Sequence, residues 1–168
     1  MTVRWLDFDP ATGRWTLDDL ATLLGPKTRL VALGVASNAL GTINPIAEAV
    51  KLVRGRSDAF VYVDAVQSVP HLVTDVAAMD ADFVACSPYK FFGPHQGALW
   101  MNPRLDGQVR AYKVRPAGND GAHRFETGTP SCDQVSKRLD ESSPKTESRN
   151  PEQPILPAAD VDHLEGLL

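Results

Sequence analysis

With 168 residues, 43% of them hydrophobic and 23% charged, the chain has the length and composition of one globular domain with a real core. A net charge of -4 offers no basic surface, which argues against nucleic acid as a partner. Two cysteines make no disulfide framework and read as reduced thiols of a cytoplasmic protein. No apolar run approaches the about 20 residues that span a bilayer, so no membrane is expected, and the N-terminus carries no signal-peptide pattern.

Residues 3–8 alternate weakly and predict a short strand, followed by the turn Asp9-Pro10-Ala11-Thr12-Gly13. Thr16 is the expected N-cap of a helix. Asp18 and Asp19 then fall in its first turn, Leu17, Leu20, Leu23 and Leu24 share one face, and Gly25-Pro26 ends it. Residues 30–36 are an apolar run that reads as a buried strand ending at Ser37-Asn38. After the Gly41-Thr42 turn, Pro45 opens a helix with Ile46, Ala49, Val50 and Val53 on one face.

Residues 60–63 form the next strand, closed by Asp64. Strand, turn, helix and strand in that order predict a parallel sheet with a right-handed crossover. Gln67 lies one short turn beyond Asp64, and His71 reads as a side chain bonding a backbone carbonyl. Residues 75–81 are expected to cover the sheet, with Asp82 leading into a strand at 83–86 that is closed by Ser87-Pro88-Tyr89-Lys90. Residues 97–101 predict one further strand beside it. Residues 104–123, with Lys113, Arg115, Gly118 and Gly121, read as a long exposed connection. Residues 135–157 pair low hydrophobicity with dense charge and are expected to be disordered, and residues 160–168 could form one helical turn.

Asp64 and Lys90 therefore leave the ends of two separate strands, and in open α/β sheets the crevice beyond the strand carboxyl ends is the usual ligand site. Alone, Asp64 is a strand-end residue capping a turn, Lys90 a solvated surface lysine and Asn38 a turn-former. Together they place an amine and a carboxylate across one crevice. A lysine attacks an aldehyde only when it is partly desolvated or set beside positive charge. Tyr89, Phe91 and Phe92 supply apolar surface, and Gly93-Pro94 turns the chain next to Lys90.

Over roughly residues 3–131 the sequence resembles the pyridoxal-phosphate enzymes of aminotransferase class V, in particular the cysteine desulfurase-like branch. VDAVQSVPH resembles the segment that carries the pyridinium-binding aspartate and, three residues on, the residue bonding the cofactor phenolate; here these are Asp64 and Gln67. SPYKFFGPHQGALW resembles the segment of the Schiff-base lysine, here Lys90, with Ser87 matching the family's phosphate-contacting serine. SNALGTINPI resembles the Ser-Asn segment whose asparagine, here Asn38, contacts the ring or substrate. RFETGTPS resembles the loop whose threonine, here Thr129, reaches the phosphate of the neighbouring subunit's cofactor, which implies a homodimer. A carboxylate beside the ring nitrogen would hold it protonated, and the charged ring is then an electron sink.

The resemblance implies an α/β fold: a three-layer sandwich with a mostly parallel, doubly wound sheet, equivalent to part of a pyridoxal-phosphate transferase large domain. Residues 1–131 would be that partial domain and residues 132–168 a divergent tail. It implies pyridoxal 5'-phosphate as cofactor, no metal, and a small amino-acid substrate for a lyase or transferase reaction through Lys90. Many desulfurases carry a histidine where this chain has Tyr89, which leaves the substrate open; His95 reads as a residue supporting the site from behind or as a surface residue. The family's ring-stacking residue, its small domain and its nucleophilic cysteine have no match, since neither Cys86 nor Cys132 fits the last. The alternative is therefore a truncated, non-catalytic remnant acting, if at all, by protein association. A flavodoxin-like nucleotide binder is disfavoured, because no Gly-rich phosphate loop follows the first strand.

Overall fold

Apolar strands divide their side chains between two faces, because successive residues point in opposite directions. What each face packs against decides where the core lies. The computed structural model describes residues 2–115, 118–119 and 121–126. The elements are α1 (Leu17–Leu23), β1 (Leu30–Gly34), α2 (Ile46–Arg56), β2 (Phe60–Asp64), α3 (Val76–Met79), β3 (Phe83–Cys86) and β4 (Ala98–Met101). Short 3-10 turns lie at Pro88–Phe91, Pro103–Leu105 and Gly121–Arg124.

The sheet runs β1-β2-β3-β4, parallel from β1 to β3 with β4 antiparallel beside β3. The mostly parallel sheet implied by the resemblance is thus present. Its register aligns Leu33 with Val63, Val63 with Val84 and Val84 with Trp100. These side chains lie on the face that meets the helices. Leu20 of α1 and the predicted stripe Ile46, Ala49, Val50 and Val53 of α2 close over them to form one core. Val76 and Met79 of α3 pack at its margin.

The opposite face carries Leu30, Phe60, Tyr62, Phe83 and Leu99, and among the described residues no helix covers it. Leu30 and Leu99 remain 57% and 58% exposed. Phe60 and Phe83 meet edge to face at 6.1 Å, so this face holds an aromatic cluster even though it is open. The described residues therefore supply the sheet and one helix layer of the expected sandwich.

Two local expectations are corrected. Residues 3–8 form no strand; the chain there makes only an isolated bridge between Asp9 and Arg14 around the turn that Gly13 closes at φ 65°. Weak alternation without a neighbouring strand to pair with leaves the backbone unpaired. Residues 104–123 are not wholly exposed either, because Leu105 is buried and anchors that connection. Residues 127–168, with Thr129, Cys132 and the expected disordered tail, lie outside the described residues.

The α1 N-cap is as expected. Thr16 Oγ1 accepts from Asp19 N at 3.1 Å, and Asp19 Oδ2 accepts from Thr16 N at 3.3 Å, a reciprocal capping box.

The amino-terminal edge of the sheet is held by the buried carboxylate of Asp82, at the entry to β3. Asp82 is 2% exposed and accepts from Val61 N at 2.6 Å, Arg54 at 2.7 Å and Arg104 at 2.9 Å. Burial pushes its pKa up, but the Val61 N–H and the two guanidinium groups outweigh that, and the carboxyl titrates below its ordinary value of 3.8. Arg104 also pairs with Asp80. One side chain thus joins α2, β2, β3 and the turn after β4. Among the described residues no helix is long and apolar enough to cross a membrane.

Candidate functional site

Parallel strands bring their carboxyl ends to one edge, so whatever follows β1, β2 and β3 is gathered there. Gly34, Asp64 and Ala85 stand in register at that edge. Asp64 O accepts from Val35 N at 2.9 Å and Ala85 O from Ala65 N at 2.8 Å, so the ladder is stitched to its last residues. Asp64 ends β2 with an exposed side chain. Its Oδ1 accepts from Val66 N at 2.9 Å, which turns the chain back over the edge.

That turn positions Gln67. Residues 65–72 are wound into successive hydrogen-bonded turns, with Val69 N donating to Ala65 O at 3.0 Å, and the buried Ser68 Oγ also donates to Ala65 O, at 3.2 Å. A regular helix does not form, yet one turn is enough to carry Gln67 to the crevice.

Lys90 comes from the other side, in the connection between β3 and β4. Lys90 N donates to Ser87 O at 3.0 Å and Gly93 N to Pro88 O at 2.9 Å, which folds residues 87–93 into a tight knot. Phe92 takes a left-handed conformation at φ 65° to close it. A Cβ on Gly93 would stand 2.6 Å from Pro88 Cβ and 2.9 Å from Pro88 O, so only glycine fits without a shift. Tyr89 and His95 stack with ring centroids 5.1 Å apart and planes 6° from parallel, closing the loop from outside. This is the partner of His95; the residue is exposed, as expected.

The two halves meet in one contact: Lys90 Nζ donates to Gln67 Oε1 at 2.7 Å. A charged ammonium has three donors and no acceptor, so beside an amide it faces the carbonyl oxygen. The Gln67 amide NH2 is thereby left pointing to other acceptors. Lys90 and Gln67 are both half-buried. No ion pair joins Lys90 to Asp64 among the described residues, so the carboxylate and the amine remain separate groups at one edge.

Ser87 follows β3 directly and is half-buried at the same edge. Asn38 follows β1 in a turn closed by Ser37 N to Thr42 O at 2.9 Å and by Ser37 Oγ, which accepts from Leu40 N at 3.1 Å. Its side chain is exposed and makes no hydrogen bond among the described residues. Gln67 and Lys90 are therefore in contact, Asp64, Ser87 and Asn38 end or follow strands at the same edge, and Thr129 lies outside the described residues. Cys86, at the end of β3, is half-buried, and burial pushes its thiol pKa up, away from the reactive thiolate.

These groups fit a pyridoxal-phosphate cradle in kind. An amine is present for the aldehyde, a carboxylate for the ring nitrogen, an amide for the ring oxygen and a hydroxyl for the phosphate.

The aminotransferase class-V family model matches residues 1–137. The chain belongs to that family. A probable cysteine desulfurase of Pasteurella multocida is 38% identical over 137 residues, which is 72% of this chain and 32% of that protein. A cysteine desulfurase-like protein of Aspergillus flavus is 39% identical over 120 residues, 69% of this chain and 27% of its own length. Among solved structures, the cysteine desulfurase of Thermococcus onnurineus superposes with a TM-score of 0.66 at 26% identity, covering 81% of this chain and 39% of that one. The cysteine desulfurase CsdA of Escherichia coli gives 0.62 at 29% identity, covering 71% and 33%. The chain thus spans about a third of the length of the curated relatives it matches.

Proposed function

We propose that this chain is the cofactor-bearing part of a pyridoxal-phosphate enzyme of the class V family, acting on a small amino acid, with residues 1–131 as part of the large domain. The Lys90–Gln67 contact at the carboxyl edge of the sheet carries the reading, because it brings the product of two distant motifs to one point. Lys90 Nζ would hold the cofactor covalently as a Schiff base and then move the proton at the substrate α-carbon. Asp64 would sit at the ring nitrogen, with its position set by the Val66 N–H. The Gln67 amide, turned with its oxygen on Lys90, would offer its NH2 to the ring oxygen. Asn38 would contact the ring or substrate, and Ser87 and Thr129 the phosphate, Thr129 across a homodimer interface. The cofactor supplies an electron sink that lowers the cost of a carbanion at the α-carbon.

Borohydride trapping tests this assignment. After reduction with pyridoxal phosphate, peptide mapping should find the added mass on the peptide holding Lys90. Modification spread over surface lysines, or none, would remove the reading.

The bare sheet face favours a second reading, in which the chain acts by association and turns over nothing itself. Leu30 and Leu99 lie on that face and would be covered by a partner. A chain that takes up no cofactor and yet forms a defined complex through this face would support it.

A further inference from the structure

Asn38 stands exposed after β1 with its amide unengaged among the described residues, so its position is set by the loop that carries it. Residues 36–43 form that loop, a small hairpin whose legs meet in a bridge between Ala36 and Ile43. Inside it, Ser37 N donates to Thr42 O at 2.9 Å and Gly41 N to Ser37 O at 3.1 Å, while Ser37 Oγ accepts from Ala39 N at 3.3 Å and Leu40 N at 3.1 Å. Gly41 makes the turn in the left-handed region, at φ 68°. The tip is ordered within itself, and Asn38 goes where the base of the loop is fixed.

Asn44 fixes that base. Its backbone N donates to Val35 O at 2.8 Å and its side-chain Nδ2 to Gly34 O at 2.8 Å, so one residue grips two successive carbonyls at the carboxyl end of β1. Its own carbonyl accepts from Ile46 N at 2.9 Å, at the start of α2. Asn44 is half-buried and Ile46 belongs to the core, so the grip has a firm footing. The outer support of the loop is looser. Thr42 Oγ1 donates to Gly13 O at 3.4 Å, and Leu40 lies against Gly13, where a Cβ would stand 2.5 Å from Leu40 Cδ1. An apolar side chain at position 44 would keep the backbone bond and lose the amide donor.

We propose that Asn44 is a positioning residue, which locks the loop of residues 36–43 to the end of β1 and so holds Asn38 at the sheet edge that also carries Asp64, Gln67 and Lys90. What Asn38 meets there rests on the cofactor reading. How Asn38 is held rests on these hydrogen bonds alone.

Two measurements on the full chain test this, with Asn44→Ala, Asn38→Ala, the double variant and Asn102→Ala. Asn102 is the control, because it is half-buried too and its Nδ2 likewise donates to a backbone carbonyl, Ala81 O at 3.1 Å, at the amino edge of the sheet. In the cofactor-free chain, amide hydrogen exchange of residues 36–44 should quicken about tenfold in Asn44→Ala, the factor that one lost hydrogen bond amounts to, while residues 60–64 exchange as in the parent. In titrations with pyridoxal phosphate, Asn44→Ala should weaken binding by no more than Asn38→Ala does, and should cost nothing further once Asn38 is replaced. Asn102→Ala should bind as the parent does. Unchanged loop exchange, exchange that quickens along the whole chain, or binding losses from Asn38→Ala and Asn44→Ala that multiply in the double variant would overturn the proposal. Faster loop exchange in a chain that takes up no pyridoxal phosphate would strike the cofactor reading and leave the hold of Asn44 on the loop standing.

Discussion

At the residue scale, Asp82 ties α2, β2, β3 and the turn after β4 to one buried side chain. Its carboxylate is surrounded by a backbone N–H and two arginines, and removing it leaves Val61 N without an acceptor and two guanidinium groups without their shared partner. Breaking a buried pair costs about 3–5 kcal/mol. Arg54 and Arg104 keep some solvent access, so Asp82→Ala should lie near the lower end, about 3 kcal/mol by denaturant titration. The pH dependence follows from the lowered pKa. A folded pKa below the unfolded one means a contribution that is complete above the ordinary value of 3.8 and lost as pH falls through the lower, folded value. Parent and Asp82→Ala should therefore converge in stability on acidification through that window. A constant difference down to the acid limit would assign the effect to packing.

At the scale of elements, the loop that holds Lys90 depends on Gly93. Gly93→Ala puts a methyl 2.6 Å from Pro88 Cβ, an overpacking that costs about 1–3 kcal/mol. It should lower thermal stability and also shift Lys90 away from Gln67, with weaker cofactor uptake than the exposed control His71→Ala. Thr16→Ala removes half of the α1 capping box and should cost about 1 kcal/mol without touching uptake. Equal effects of the two substitutions on uptake would argue against a special role for the loop. These elements were legible for a physical reason: Thr16, the stripe of α2 and the runs at 60–64 and 83–86 each repeat one local rule. Asp82 was not, because a carboxylate before a strand looks solvated until Arg54 and Arg104, far along the chain, are brought beside it. The strand expected at residues 3–8 failed for the same reason in reverse, since a strand needs a neighbour that local sequence cannot supply. The motifs set Asp64 and Lys90 across one crevice with Gln67 beside Asp64; the bond of Lys90 to Gln67 depends on how the two connections fold, which local sequence does not specify.

At the scale of the whole molecule, the sheet presents one packed face and one that, among the described residues, no helix covers. Parallel sheets are usually covered on both faces. The isolated chain should therefore bind a solvatochromic dye such as ANS under native conditions, and Leu99→Lys with Leu30→Lys should reduce the signal while the helix-side core is unchanged. Absence of dye binding would mean that the face is closed in solution.

The most direct measurement of the central claim is the absorbance spectrum of the chain titrated with pyridoxal phosphate, beside Lys90→Ala and Asp64→Ala. A band at the visible edge that borohydride abolishes is expected, absent in Lys90→Ala and weakened in Asp64→Ala. Identical spectra from the parent chain and Lys90→Ala would contradict that claim.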